Sequence, residues 1–408
     1  MKKNIREYFS FFNENPNSIY LDSAATGLKL KSVCDKEYFF NKRVNSSSHS
    51  IHHTNGLIAM EGINKTRKMV KEFINADLNN EIIFTSGATF GLNTVIFGIC
   101  ERLEPGDEIC TTLLEHSSLI IPLLKSKNKY NLKLNYFELN DKGMIDIEKI
   151  HMYINMKTKF VAFASISNTV SANNNICEVV KKIREINKNI IILIDVAQSI
   201  SYYKTDVKEW DVDFICFSAH KMYGPWGLGI MYGREKLLGI IDPIVIGGGS
   251  IYENSMLDYE LAKSPEKFEA GTQNMAAIYA YSEVFEFYKK FSIKEICVSI
   301  YNLKKYFIEK IKINKLQDSY NFFGLDNDGP IILIDTKEVN PHDFIQYLHK
   351  KYNIIARSGN HCALNSKIIT HIERPTIRIS FGPYNLKSEI DVLIKALINK
   401  EDWKEYII

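Results

Sequence analysis

The chain switches repeatedly between short apolar runs and patterns of helical period, and few folds accommodate such a rhythm. Residues 81–86 read EIIFTS, a strand, after which Leu92, Val95, Ile96 and Ile99 follow at helical spacing. Ile176, Val179, Val180, Ile183 and Ile186 repeat that spacing before the apolar run IIILID, which ends at Asp195. Strand and helix then alternate toward a second continuous run, Phe214, Ile215, Cys216 and Phe217. This alternation predicts an α/β fold with a largely parallel sheet. After about Phe285 the texture changes to a long charged helix, a strand at 331–337 and a helix from about Pro341. Short strands near Ile354 and at 377–381 follow, with a closing helix from Lys387. The expected division is a large domain over residues 18–285 and a smaller C-terminal α/β domain over 286–408, packed with residues 1–17.

Composition narrows the function classes. A net charge of +3, with Lys and Arg dispersed, leaves no basic stripe for nucleic acid or a membrane surface, although a small anionic ligand remains compatible. The seven cysteines (Cys34, Cys100, Cys110, Cys177, Cys216, Cys297 and Cys362) are odd in number, scattered and without zinc-like spacing. They read as reduced thiols. No apolar segment approaches the roughly 20 residues of a membrane span, and the first residues lack a signal-peptide core. The expected location is cytoplasmic.

The chemistry gathers where strands end. In FICFSAHKMYGPWGLG, the apolar run at 214–217 delivers Ser218, His220 and Lys221 just before a Gly/Pro-rich loop, the place where open α/β sheets hold ligands. A lysine in an apolar site can form a Schiff base with a carbonyl, and Ser and His beside it can hold a phosphate. The same residues also suit an ordinary strand end whose lysine meets water. Asp195 closes an apolar strand, where its carboxylate needs a cationic or donor partner. A protonated pyridine nitrogen would serve; so would the first amides of a following helix. Gln198 stands close enough to reach a phenolic oxygen on the same ring. The Gly87-Ala88-Thr89 turn offers backbone N–H groups at a helix start to a phosphate, or exists for geometry alone. His116 in LLEHSSLIIP and Asn168 in SISNTVSA are open to both kinds of reading.

Taken jointly and in order, these segments resemble the fold-type I pyridoxal phosphate (PLP) enzymes. The chain is similar to the class V aminotransferase family in its cysteine desulfurase and selenocysteine lyase branch, and within it to the Suf-type group with a short active-site loop. The resemblance runs through YLDSAATG, TSGATFGLN, LLEHSSLIIP, SISNTVSA, IDVAQS, FSAHKMYGPWGLGIMYG, IGGGS, KFEAGTQN, ARSGNHCAL and IRISFGPYNLKSEID. It implies a large domain with a mainly parallel seven-stranded sheet and a smaller C-terminal domain. It makes Lys221 the Schiff-base lysine and general base, Asp195 the partner of the pyridine nitrogen, Gln198 the partner of the phenolic oxygen, and His116 the residue stacked on the ring. Ala88, Thr89, Ser218 and His220 would hold the phosphate, and Thr272 would reach the phosphate of a neighbouring subunit, which implies a homodimer with shared sites. Arg378, assisted by Asn168, would bind the substrate carboxylate, with Arg357 and His53 also in the substrate pocket.

Cys362, in RSGNHCAL, separates branches of this family. A cysteine flanked by His361 and near Arg357 suits a thiolate nucleophile, since adjacent positive charge lowers a thiol pKa; a free cysteine is otherwise a small core residue, the role expected of the other six. The implied reaction converts L-cysteine to L-alanine and leaves a persulfide on Cys362 for an acceptor protein or a reductant. The alternative is an aminotransferase acting on a small amino compound, with Cys362 incidental. Departures from the desulfurase pattern bear on that choice. Ser50-Ile51 stand before His52 and His53 where an Arg-Gly pair is usual; Val196, Ala219 and Ser171 replace glycines; and Leu364-Asn365 replace a proline. These positions are expected to line or adjoin the substrate pocket. A noncatalytic scaffold is disfavoured by the joint presence of Lys221, Asp195, His116 and Arg378. A zinc site on His49, His52 and His53 lacks partner ligands, so no metal is expected.

Overall fold

A computed structural model describes residues 4–363, 365 and 367–406. In chain order its strands are β1 (Ile19–Tyr20), β2 (Ile82–Thr85), β3 (Glu108–Thr111), β4 (Lys133–Tyr136), β5 (Thr158–Ala164), β6 (Ile191–Asp195), β7 (Phe214–Ser218) and β8 (Gly229–Gly233). They continue as β9 (Ile251–Asn254), β10 (Tyr259–Leu261), β11 (Asn321–Phe323), β12 (Ile331–Asp335), β13 (Ile354–Ile355), β14 (Arg357–Gly359) and β15 (Thr376–Ser380).

The central sheet has seven strands in the order β2-β8-β7-β6-β5-β3-β4, parallel except for β8, which runs against both its neighbours. Its middle strands are mostly apolar because helices cover both faces: Phe160, Phe163, Phe214 and Phe217 are wholly buried. The predicted helices form at Ala88–Cys100 and Ile176–Ile186. The connection from β6 to β7 departs from expectation, running through turns rather than a helix. There the Asp206 carboxylate accepts from the Glu209 amide at 3.0 Å, a local turn bond, and from the distant Asn75 Nδ2 at 3.0 Å.

The second sheet is antiparallel, β11-β12-β15-β14, and packs with the helices Ile293–Ile313, Pro341–Tyr352 and Lys387–Ile398. Segments near the N-terminus contact this part of the chain. β1 pairs with β13, and Arg6 Nη1 meets Glu389 Oε1 at 2.6 Å. The helix Met275–Lys290 runs across residue 286, and the nearest break lies at Phe291–Ser292, where Ser292 caps the following helix.

Candidate active site

Parallel strands that end level leave a crevice at their carboxyl ends. β5 and β6 finish side by side, with Ala164 paired to Asp195, and β7 runs on to Ser218. The small antiparallel sheet closes the other side with Arg357 and Arg378, which face each other directly across β14 and β15. The cleft between them has a volume of about 220 Å³ and opens to solvent. All the predicted site residues except His53 and Thr272 line it.

Lys221 ends a short turn after β7, and Gly27 lies against that turn. A Cβ on Gly27 would come within 2.9 Å of the Tyr223 ring and 3.1 Å of the Lys221 carbonyl, so only glycine allows this approach. Withdrawal from water pulls the Lys221 amine down to about 8, with the Asp195 carboxylate opposing. Asp195 is buried; desolvation pushes its carboxyl up, while its Oδ1 accepts from the Ala197 amide at 2.9 Å. It therefore anchors the following turn and also faces the cleft. Gln198 Nε2 donates to the Ala24 carbonyl at 3.0 Å.

Ser218 Oγ accepts from the Ala88 amide at 2.8 Å, at the N-terminus of the helix Ala88–Cys100. This leaves the hydroxyl hydrogen for a ligand at a site already favourable to anions. His220 stacks on Trp226 with ring centroids 5.1 Å apart, and its Nδ1 lies 3.1 Å from Thr26 Oγ1. His116 caps the helix Ser117–Tyr130: its Nδ1 accepts from the Ser118 amide at 3.1 Å and faces Ser118 Oγ at 2.7 Å. Burial, reinforced by the positive charge of Lys221, drives this imidazole down to about 4, so it meets the cleft as a neutral ring.

On the opposite wall, Arg378 is 3% exposed and donates from Nη1 to the Asn168 carbonyl at 3.0 Å. Asp22, which the sequence reading passed over within YLDSAATG, lies 3.6 Å from Arg378 Nη2. Asn168 Nδ2 donates to the His361 carbonyl at 2.7 Å. Cys362 is exposed at the cleft, and its carbonyl accepts from both the amide and the hydroxyl of Ser117 at 2.9 Å. His361 does not supply the positive charge expected beside it. Burial drives its ring down to about 3, and its Nε2 lies 3.2 Å from the Thr376 carbonyl. The cations at this cleft are Lys221, Arg357 and Arg378.

Among the other cysteines, Cys100, Cys110 and Cys216 are core residues as expected, whereas Cys34 is exposed and away from the cleft. None of the described departures lines the cleft itself, although Val196 and Ala219 each stand between two residues that do. Val196 and Ala219 are fully buried, and the Ser171 hydroxyl accepts from the Ile331 amide at 2.7 Å. Ile51 belongs to a separate cavity with His49, and Leu364 lies outside the described residues. His53 caps the helix Thr54–Phe73 through Nδ1, and Thr272 sits exposed on a loop. No metal-ligand cluster occurs among the described residues.

Several buried atoms at the cleft have no hydrogen-bond partner among the described residues: Asn168 Oδ1, His361 Nδ1 and Arg378 Nε. Unpaired polar atoms on the wall of a cleft signal a missing partner. Two arginines paired across a sheet repel unless an anion lies between them. A phosphorylated, carbonyl-bearing pyridine fits these residues: an anion site at a helix start, a carboxylate at the floor, and an amine of lowered pKa.

A family model described as aminotransferase class-V matches residues 19–393. A cysteine desulfurase of Wigglesworthia glossinidia brevipalpis is 34% identical over 403 residues, covering 97% of this chain and 96% of that protein. A probable cysteine desulfurase of Ureaplasma parvum is 33% identical, covering 96% of each. Among solved structures, the apo cysteine desulfurase of Thermococcus onnurineus NA1 superposes with a TM-score of 0.90 at 28% identity, over 99% of this chain and 98% of that one. The cysteine desulfurase CsdA of Escherichia coli, in its S-sulfonic acid form, gives 0.86 at 25% identity with the same coverage.

Proposed function

The chain belongs to the class V aminotransferase family, in its cysteine desulfurase branch, and from that premise we propose how its own residues carry the reaction. It is a PLP-dependent cysteine desulfurase that converts L-cysteine to L-alanine. The observation that carries the sulfur step is that Cys362, alone among the described cysteines, lines the cleft that holds Lys221.

When bound, PLP supplies the electron sink that lets the substrate lose its α-proton. Asp195 would hold the ring nitrogen in its protonated form, neutral His116 would meet the ring, and Gln198 would meet its phenolic oxygen. Ala88, Thr89, Ser218 and His220 would hold the phosphate. Arg378 takes the substrate carboxylate bidentately, with Asn168 and Arg357 beside it. Lys221 Nζ, of lowered pKa and out of bulk water, accepts the α-proton as general base. The Cys362 thiolate then attacks the substrate sulfur. An S–S bond forms, the substrate's C–S bond breaks, and its electron pair goes to the carbon, which takes up a proton to become the alanine methyl group; protonated Lys221 returns a proton to the α-carbon.

The Suf-type assignment rests on the short Gly359–Ala363 turn that presents Cys362. A homodimer agrees with the position of Thr272, exposed outside this chain's own cleft, from which it would serve a neighbour's phosphate. An acceptor protein or reductant takes the persulfide sulfur. The chain divides into two domains in this reading, with the boundary drawn at the helix break of Phe291–Ser292. No described helix is long and apolar enough to cross a membrane, and a cytoplasmic location agrees with seven free cysteines.

The test is incubation with L-cysteine and dithiothreitol, following sulfide and alanine. Wild type should release both in equal amounts, and Cys362→Ala should release neither above background. Conversion of the cofactor to its pyridoxamine form without sulfide would instead make the enzyme an aminotransferase.

A further inference from the structure

Glu115 is 4% exposed directly behind the cleft, and no step above uses it. Its carboxyl oxygens reach two different elements. Oε1 lies 2.6 Å from Thr112 Oγ1, and Oε2 accepts from the Ala164 amide at 2.9 Å. Ala164 ends β5, lines the cleft and pairs with Asp195. β3 pairs with β5 only as far as Val161, so the Ala164 amide lies past that ladder and Glu115 takes the place of the missing strand. Thr112 Oγ1 also accepts from the Leu114 amide at 3.2 Å, which folds residues 112–115 into the turn that presents His116. One carboxyl thus joins the end of one strand to the turn after another.

A carboxyl in this position is costly unless both oxygens are bonded, and here both are. Burial also holds it up at about 8. It is mostly uncharged at neutral pH, so it keeps its hydrogen bonds without setting a second negative charge beside Asp195.

Resting on the PLP reading above, we propose that Glu115 is a positioning residue of the cofactor pocket: by tying Ala164 to the turn that presents His116, it fixes the spacing between the His116 imidazole and Asp195. A neutral amide of the same shape should therefore replace it, and a methyl group should not.

The experiment titrates apoprotein with PLP and records the dissociation constant and the visible circular dichroism of the bound cofactor. Glu115→Ala should weaken binding about tenfold, the equivalent of one buried hydrogen bond, and alter the dichroic band. Glu115→Gln should stay within about threefold of wild type and restore the band; Thr112→Val should shift both in the direction of Glu115→Ala, by less. Wild-type affinity and an unchanged band in Glu115→Ala would overturn the proposal, as would a Gln variant that behaves like Ala. Should Glu115→Ala fail to fold, Thr112→Val decides, and unchanged behaviour there overturns it. Failure of wild type itself to take up PLP would bring down the cofactor reading, and this proposal with it.

Discussion

The two walls of the cleft are built differently. On the large-domain wall, functional side chains stand at strand ends with their polar atoms engaged by neighbours: Asp195 with Ala197, Ser218 with Ala88, His116 with Ser118. On the small-domain wall, His361 and Cys362 are consecutive left-handed residues with φ of 53° and 55°, a conformation that costs about 1–3 kcal/mol each unless held. Asn168 and Ser117 hold it, by donating to the His361 and Cys362 carbonyls. Around that turn, Arg378 Nε, Asn168 Oδ1 and His361 Nδ1 wait without partners. The first wall holds its side chains through bonds within the protein, with the Ser218 hydroxyl hydrogen left for a ligand. The second, with Asn168 reaching across from the first, presents the unpartnered atoms that a bound ligand would meet.

Mutations should separate the walls. Lys221→Ala touches the chemistry of both and should lower alanine formation by on the order of 10³-fold or more, measured under saturating L-cysteine. Cys362→Ala should reduce sulfide release to background while leaving PLP affinity at the wild-type value; a parallel loss of affinity would show that the walls are not separable. Arg378→Lys keeps the charge but loses the planar fork, and KM for L-cysteine should rise roughly 10–100-fold with a smaller change in kcat.

One pH dependence belongs to the first wall. Capture of PLP by the apoprotein needs the unprotonated Lys221 amine, so its rate should climb about tenfold per pH unit and level off above about 8. Asp195→Asn removes the charge that opposes the lowering, and the inflection should move to lower pH. The smallest effect is expected from Cys34→Ala: an exposed thiol outside the cleft, whose loss should leave sulfide release unchanged.

The first wall was largely legible in the sequence, because apolar strands that end in Asp195 or in Ser218 and Lys221 announce both the sheet and the place where it meets a ligand. The second was legible as residue types and less so as physics. His361 reads as a cation beside a thiol, yet burial against Thr376 leaves it neutral, and burial is not written in a local motif. Val196 and Ala219 adjoin site residues in sequence and in space, yet their own side chains are fully buried, which a local motif does not show. Asp22 and Glu115 lay within quoted motifs and were missed. Each is a carboxyl in an apolar setting, the same signal that singled out Asp195.

The central claim is that sulfur passes to Cys362 in the cleft that holds Lys221. Mass spectrometry of the protein after one turnover with equimolar L-cysteine, without reductant, tests it most directly. The account predicts one added sulfur atom on the peptide that contains Cys362, with alanine formed in equal amount. Unmodified Cys362 accompanied by a keto acid and the pyridoxamine form of the cofactor would contradict it.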